Sequence, residues 1–457
     1  MKRNKVPDIK KKSLLIAVVF IFTGFHVTAQ TINLEQARSL ALANSRNLAK
    51  YNLAIQSSIL DERFRIYSNL PSLSLGANAS TSLWNAGGEP APDPLEAFKA
   101  GANFSVSQKI FEGGKTLVQK AINGLATETA RKDALAEYFN VLNTVDGAYY
   151  AALEAAADLE AAESALQTAN LSLSMAEVRQ ASGVISTGDY LKALADRESS
   201  ETSRNQARRN YSLSNAKLKS LIGLNEAVGF NAGQVDFSRY EELILRLGSI
   251  TDTEADSLYG ELREIAAAAN PALAKAGLSS RRAEKSLSLS KLDFSPGLSA
   301  SFSTGLNYTP NNGIEPSGGS VSISGSIPLD FWVTANNVAK SKIARDTATL
   351  DYYTAENSLE AELQSALFNT IAQAGSAGSS RRALEYAEKH FEYIMERYRL
   401  SQSSVSELSD ASALVSSSRS QFIKARYGFL QGLSTLRSLG AFEDEEKLMQ
   451  ILKGKGP

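Results

Sequence analysis

Four short stretches of the chain alternate apolar and polar residues with period two, the spacing of half-buried strands. In the first, Leu73, Leu75, Ala77, Ala79 and Leu83 share one side, while Ser72, Ser74, Asn78, Ser80 and Ser82 share the other. The second carries Phe104, Val106 and Ile110 on its apolar side. In the third, Leu298, Ala300, Phe302, Leu306 and Tyr308 oppose Ser299, Ser301, Ser303 and Asn307. In the fourth, Val321, Ile323, Ile327 and Leu329 oppose Ser320, Ser322, Ser324 and Ser326. These patterns predict strands at 71–84, 101–111, 297–309 and 319–331. An apolar face backed by small polar residues suits a barrel with lipid outside and water inside. A soluble sandwich sheet is the competing reading of any one strand alone. Pro71 and Pro296 stand where helix gives way to strand. Turn-forming stretches at 85–94 and 310–319 separate the paired strands as polar loops. Trp84 and Trp332, the only tryptophans, bracket the strand segments, and simple alternation puts both on the polar face.

Elsewhere the apolar spacing changes to three and four. Leu142, Val145, Tyr149, Ala152, Ala156 and Leu159 recur on one helical face, followed by Ala162, Leu166, Ala169, Leu173 and Ala176. Leu384, Ala387, Phe391, Ile394 and Tyr398 repeat the pattern later. Small residues at this spacing permit close, coiled-coil-type packing, with an ordinary helical bundle as the alternative. Residues 115–181 as one helix would extend roughly 100 Å. Helices over 31–68 and 189–224 would extend about 57 and 54 Å, so end to end they match the long one. A strut of that length belongs to an elongated tube.

The order helix, strand, strand, long helix, helix occurs twice. Leu48 and Pro71 return as Leu273 and Pro296 at an offset of 225, and the stretch from Gly183 to Asp189 aligns with Ser401 to Glu407 at 218. The predicted organisation is a first repeat over 30–224, a connecting segment at 225–256, a second repeat over 257–440 and a terminal segment at 441–457.

Residues 1–29 have the form of a secretory signal: Lys2, Arg3, Lys5, Lys10, Lys11 and Lys12 precede a short apolar run and a Val27-Thr28-Ala29 cleavage site. The run is too short to span a bilayer, which takes about 20 residues. With Asp8 the segment is net +5, so its loss takes the chain from −1 to −6, a balance that gives no footprint for nucleic acid. There is no cysteine, which excludes disulfides, thiolate metal sites and lipidation of an N-terminal cysteine. His390 is the one histidine beyond the signal, and one histidine cannot build a multi-histidine zinc site. It lies in a helical stretch, so enzymatic chemistry finds no support. Gly113-Gly114-Lys115-Thr116 resembles the end of a phosphate-binding loop, but the full pattern needs glycine where Lys109 stands; a turn at the membrane exit is the plainer reading.

The chain resembles the TolC family of outer-membrane efflux ducts over residues 30–440. The resemblance is carried by Leu34-Glu-Gln-Ala37, Leu40-Ala-Leu-Ala-Asn44, Leu70-Pro-Ser-Leu73, Ser107-Gln-Lys-Ile-Phe-Glu-Gly-Gly114, Ala148-Tyr149 and Gly183 with Ser186 and Asp189. In the second half it is carried by Ala269-Asn-Pro-Ala-Leu273, Ile327-Pro-Leu-Asp330, Arg397-Tyr398 and the stretch from Glu407 to Ala411. Order and spacing, not any single motif, make it specific. The family implies an α+β membrane protein: a homotrimer in which each protomer gives four strands to a twelve-stranded outer-membrane barrel and long helices to a periplasmic α-barrel. It also implies an equatorial domain, for which 225–256 and 441–457 are the candidates. A trimer would close the edges that four strands leave open in lipid.

The resemblance further implies a passive duct without a cofactor, working with a periplasmic adaptor protein and an inner-membrane transporter, of the proton-driven RND or ATP-driven ABC type. At its periplasmic gate the matching positions are Asp189, Tyr398, Glu407 and Asp410. Asp189, Glu407 and Asp410 also fit a purely structural reading, as carboxylates near helix N-termini. Ser403 stands where the family pattern has a bracing arginine. Ser182, Gly183 and Val184 form one predicted adaptor-docking tip, and Leu400, Ser401 and Gln402 the other. A trimeric coiled-coil surface stalk is the alternative; it would need long exposed domains beyond the barrel.

Overall fold

The structure, a computed structural model, describes residues 30–67, 69–81, 95, 97–224 and 230–454. The expected signal segment, Trp84 and the stretch 85–94 lie outside the described residues. Among those described, the chain runs β1 (Gln30–Ile32), α1 (Leu34–Asn44), α2 (Arg46–Tyr67), β2 (Ser72–Ser80), β3 (Lys99–Phe111), α3 (Lys115–Ala181), α4 (Thr187–Ile222), β4 (Phe230–Ala232) and α5 (Ser238–Leu247). It continues through α6 (Asp252–Ala269), α7 (Pro271–Lys291), β5 (Gly297–Thr309), β6 (Gly313–Ser326), α8 (Phe331–Arg399), α9 (Val405–Leu439) and α10 (Glu445–Leu452).

The alternating stretches form one antiparallel sheet in the order β2-β3-β5-β6. Its register gathers the serines into rows: Ser74, Ser105, Ser303 and Ser320 lie side by side, and Ser72, Ser107, Ser301 and Ser322 form the next row. Hydroxyls meet within these rows at 2.6 Å (Ser74 and Ser105), 2.8 Å (Ser303 and Ser320) and 2.8 Å (Ser301 and Ser322). The other face presents Leu73, Leu75, Val321 and Ile323 largely to the surroundings, Leu75 at 81% exposure. An apolar sheet face this bare requires lipid or a partner.

The helices continue the order of the strands they adjoin. Beside the sheet, α2 packs on α3, α3 on α7 and α7 on α8; at the other end α4 packs on α3, α3 on α9 and α9 on α8. The α3 helix has 67 residues and α8 has 69, so each extends about 100 Å. Gly113 and Gly114 turn β3 into α3 with φ of 62° and 83°, and a Cβ at Gly113 would overlap Ser295. Lys115 ion-pairs with Asp293 at 2.8 Å. The Gly-Gly-Lys-Thr stretch is therefore a turn.

Three expectations need correction. The helix expected over 31–68 is broken: Ser45 is extended, and its Oγ accepts the Leu48 N–H at 3.1 Å to start α2. The loop expected at 310–319 is mostly strand, because Thr309 pairs with Gly313, whose φ of 73° makes the turn. Pro316 is tolerated because β6 is an edge strand. Finally β6 ends at Ser326 instead of 331: Pro328 has no N–H to continue the ladder, and α8 starts at Phe331. Trp332 is thus an exposed residue of a helix start, among the equally bare Ile327, Leu329 and Phe331.

The main core lies where the short elements wrap the long helices. It joins Ala37 and Ala41 of α1, Tyr149 and Leu153 of α3, Leu243 and Leu247 of α5, Leu363 and Leu367 of α8, Phe429 and Leu433 of α9, and Leu448 and Leu452 of α10. β1 and β4 pair in parallel, and the buried Tyr149 hydroxyl reaches both Ile32 O (3.0 Å) and Gly233 O (2.6 Å). Burial pushes that phenol up to about 12. An ionic centre is enclosed here: Arg38 forms a fork with Asp146 at 2.6 and 2.7 Å, and Ser434 donates to Asp146 at 2.6 Å. Glu445 stands 3.5 Å from Arg38 and accepts the Tyr240 hydroxyl at 2.7 Å.

Candidate functional site

Each helical hairpin ends in a tip, and the two tips are built alike. At the end of α3, Gly183 N–H donates to Gln180 O and Val184 N–H to Arg179 O, at 3.0 and 2.9 Å. At the end of α8, Ser401 N–H donates to Tyr398 O and Gln402 N–H to Arg397 O, at 3.0 and 2.8 Å. Both turns need one left-handed residue. Gly183 supplies it with φ 73°, and Ser401 with φ 61°. Serine takes that conformation at a steric cost that glycine does not bear. Ser182, Gly183, Val184, Leu400, Ser401 and Gln402 are all exposed, and a Cβ at Gly183 would meet nothing within 4 Å.

Beyond each turn a capping box opens the next helix. Ser186 caps α4 with Asp189 as its reciprocal partner, and Ser404 caps α9 with Glu407. Asp189 accepts from the Ser186 hydroxyl at 2.9 Å. Glu407 accepts from Ser404 N–H at 3.2 Å and from the Ser403 hydroxyl. Those bonds, the Ser403 hydroxyl first, hold the Glu407 carboxyl below the ordinary range. Both carboxylates thus have a structural part at a helix N-terminus. Asp410, one turn further on, is exposed on α9.

Tyr398 is the buried member of the predicted gate set, 0% exposed in a small core with Ala176, Ala193, Ile394, Val405 and Leu408. Its hydroxyl donates to Ser172 O at 3.4 Å. The Arg179 guanidinium lies 4.3 Å from the centre of its ring and donates to the carbonyls of Tyr398 and, at 3.4 Å, Arg399. A cation of the first hairpin therefore caps the C-terminus of the second hairpin's long helix, where the dipole favours positive charge. Sequence reasoning missed Arg179. Its counterpart Arg397, at the same offset of 218, bonds only nearby, to Gln402 O at 2.8 Å.

Asp189 and Glu407 thus occupy matching places on separate tips, while Tyr398 joins the tips through Arg179. His390 is exposed on α8. Among the described residues no group of three or more histidine, cysteine or carboxylate side chains could hold a metal.

Comparison with known proteins adds to this geometry. The family model described as outer membrane efflux protein matches residues 37–224 and 262–440. No curated protein matches the chain. Among solved structures, the chain is similar to the Campylobacter jejuni CmeC outer membrane channel, with TM-score 0.72 and 15% identity over 93% of this chain and 90% of that one. It is similar to CusC with TM-score 0.74 and 15% identity, covering 92% and 95%. The Vibrio cholerae outer membrane protein VceC gives 0.69 and 15%, covering 89% and 96%. At these identities the structural likeness bears on the fold alone.

Proposed function

This chain belongs to the outer membrane efflux protein family, and from that premise we propose that it is the exit duct of a tripartite export system. It is an outer-membrane efflux channel that reaches into the periplasm, a conduit and not an enzyme. The finer reading adds a homotrimer, a periplasmic adaptor at the tips and an inner-membrane transporter of the RND or ABC type that supplies the energy.

The observation that carries the reading is the sheet: four strands with one bare apolar face and two unpaired edges, β2 and β6. In lipid such edges leave backbone groups unsatisfied, and closure with further copies removes them. The helical edges support the same closure. Leu53, Leu60 and Tyr67 on α2 are exposed at intervals of seven, as are Ile343 and Leu350 on α8, the spacing of a coiled-coil seam. Threefold closure gives twelve strands. The stalk alternative needs external domains, and the β5–β6 turn has only residues 310–312 to offer.

At the periplasmic end, Asp189, Glu407 and Asp410 repeated three times would concentrate cations at a narrow mouth. The exposed Val184 and Leu400, beside Gly183, Ser182, Ser401 and Gln402, suit docking by the small, close-approaching tip of an adaptor. Light scattering of the purified protein in detergent, followed by planar-bilayer recording, tests the duct: a trimer with discrete conductance is expected. A folded monomer, or a trimer that conducts nothing, overturns it.

A further inference from the structure

Inside the protomer the two repeats meet where α7 packs on α3. An ion pair marks that boundary, with Lys275 Nζ 2.7 Å from Asp133 Oδ1. Both residues occur a second time. Lys275 returns as Lys50 at the offset of 225, and Asp133 as Asp351 at the offset of 218. The lysine's apolar flanks return with it, Leu273 and Leu278 as Leu48 and Leu53. Yet Lys50 and Asp351 sit on α2 and α8, the outer members of the helical layer beside the sheet. Both are exposed, and among the described residues neither forms an ion pair within the protomer.

Exposure shows what α2 lacks. The α7 helix packs on both α3 and α8, and its Leu278 is 8% exposed; α2 packs chiefly on α3, and the matching Leu53 is 63% exposed. The missing cover is a helix standing to α2 as α3 stands to α7. In the repeat order that helix is α8, which only a second copy can bring to this side. The sheet follows the same order: β3 pairs with β5 between the repeats, which leaves β6 to meet β2 of the next copy. Two other polar links across the internal boundary are not kept. Asn143 with Gln431 becomes Ala361 with Leu213, and Asp146 with Ser434 becomes Gln364 with Ala216. Lys50 and Asp351 keep both charges where the protomer itself has no use for them.

We propose that Lys50 of one copy pairs with Asp351 of the next, so that the boundary between copies repeats the boundary between repeats. The pairing rests on the trimeric duct reading and adds to it the residues that set the register of the α2–α8 seam. Leu53, Leu60, Ile343 and Leu350 can hold these helices together without fixing how far one slides along the other. A slip of one heptad, about 10 Å, would bury them nearly as well. One pair of opposite charges at a fixed height removes that freedom.

Carbodiimide, which joins a carboxylate to an amine in contact with it, tests the pair in the detergent-solubilised protein. Cross-linked peptides are read by mass spectrometry. The Lys275–Asp133 peptide is the internal control, expected in the single-chain band. The Lys50–Asp351 peptide is expected in bands of two and three chains. A trimer that yields the control and not the second peptide overturns the pair and leaves the duct reading standing. A protein that is monomeric by light scattering overturns both. Lys50→Arg keeps the charge but offers no amine, so it should remain trimeric with multi-chain bands several-fold weaker. Bands of undiminished strength would place the contact between copies elsewhere. Lys50→Glu sets like charges at each boundary and should raise the monomer fraction about tenfold. Adding Asp351→Lys should return that fraction to the wild-type value, and a double variant no better than the single one overturns the pair. Should Lys50→Glu fail to fold, cross-linking of the wild type still decides.

Discussion

Arg179 of the first hairpin lies 4.3 Å from the ring centre of Tyr398 in the second and caps the carbonyl end of the helix that carries it. The family pattern expects an arginine after the second turn, where this chain has Ser403. A cation is supplied all the same, from the opposite hairpin and within one protomer.

Arg179→Ala should therefore loosen the tips without harming the barrel. Losing one charge-assisted cap and a partly exposed cation–π contact is worth about 1–2 kcal/mol. In bilayers the variant should spend more time open, by roughly tenfold. Arg179→Lys, which keeps charge but not the planar fork, should recover part of the closed state. Identical open fractions in all three proteins would show that the contact does not hold the entrance.

Ser401→Gly should raise the stability of the second tip by roughly 1 kcal/mol, since it relieves a left-handed serine. Limited proteolysis at 399–404 reads the effect. Faster cleavage of the glycine variant would contradict the strain assigned here.

Tip integrity should depend on acid through Glu407. Its folded carboxyl titrates below the ordinary value, so its contribution is complete above the unfolded value, about 4.3, and is lost as pH falls through the folded one. Protease sensitivity at the tip should rise in that window for the wild type and stay flat for Glu407→Gln. Parallel pH profiles would remove Glu407 from the cap.

Asp146→Ala leaves Arg38 buried without its main partner, a loss of about 3–5 kcal/mol. The double change Arg38→Met, Asp146→Leu should cost far less, because no charge is stranded. Chemical denaturation of the wild type, Arg38→Met, Asp146→Leu and the double variant forms the cycle that decides this; additive losses would mean that the two side chains act separately.

Gly183→Trp should abolish export while leaving the trimer intact, since the tip is exposed and a Cβ at Gly183 would meet nothing within 4 Å. Drug or dye accumulation in cells carrying the native partners measures it. Full export would make Gly183 a turn residue and nothing more.

Much of this was legible in the chain. Period-two serines gave the sheet, and the small-and-apolar spacing, resuming after a hitch at Ala162, fitted one long helix over 115–181, the residues that α3 occupies. The shared offset of 218 located both tips, because turns and caps are local chemistry. What escaped were contacts that sequence distance hides. Arg179 looks like any basic residue in a last helical turn until the second hairpin is laid beside it. The break at Ser45 was missed for a similar reason: its neighbour Asn44 donates to Ile222 O at 2.8 Å, as Asn270 does to Leu439 O at 2.9 Å. Each asparagine thereby closes the end of a helix far along the chain. The start of β6 was missed because glycines and Pro316 look like loop, whereas pairing with β5 overrides that preference.

The serine rows bear on friction. In pairs such as Ser74 with Ser105, or Ser301 with Ser322, one hydroxyl donates to the other at 2.6 and 2.8 Å, so in the proposed barrel a passing solute meets a wetted wall in which half of these donors are already engaged. A lining of that kind offers little to adhere to. Transit through the barrel would then be set by the width of the bore and the viscosity of its water, and residence on the wall would add almost no delay.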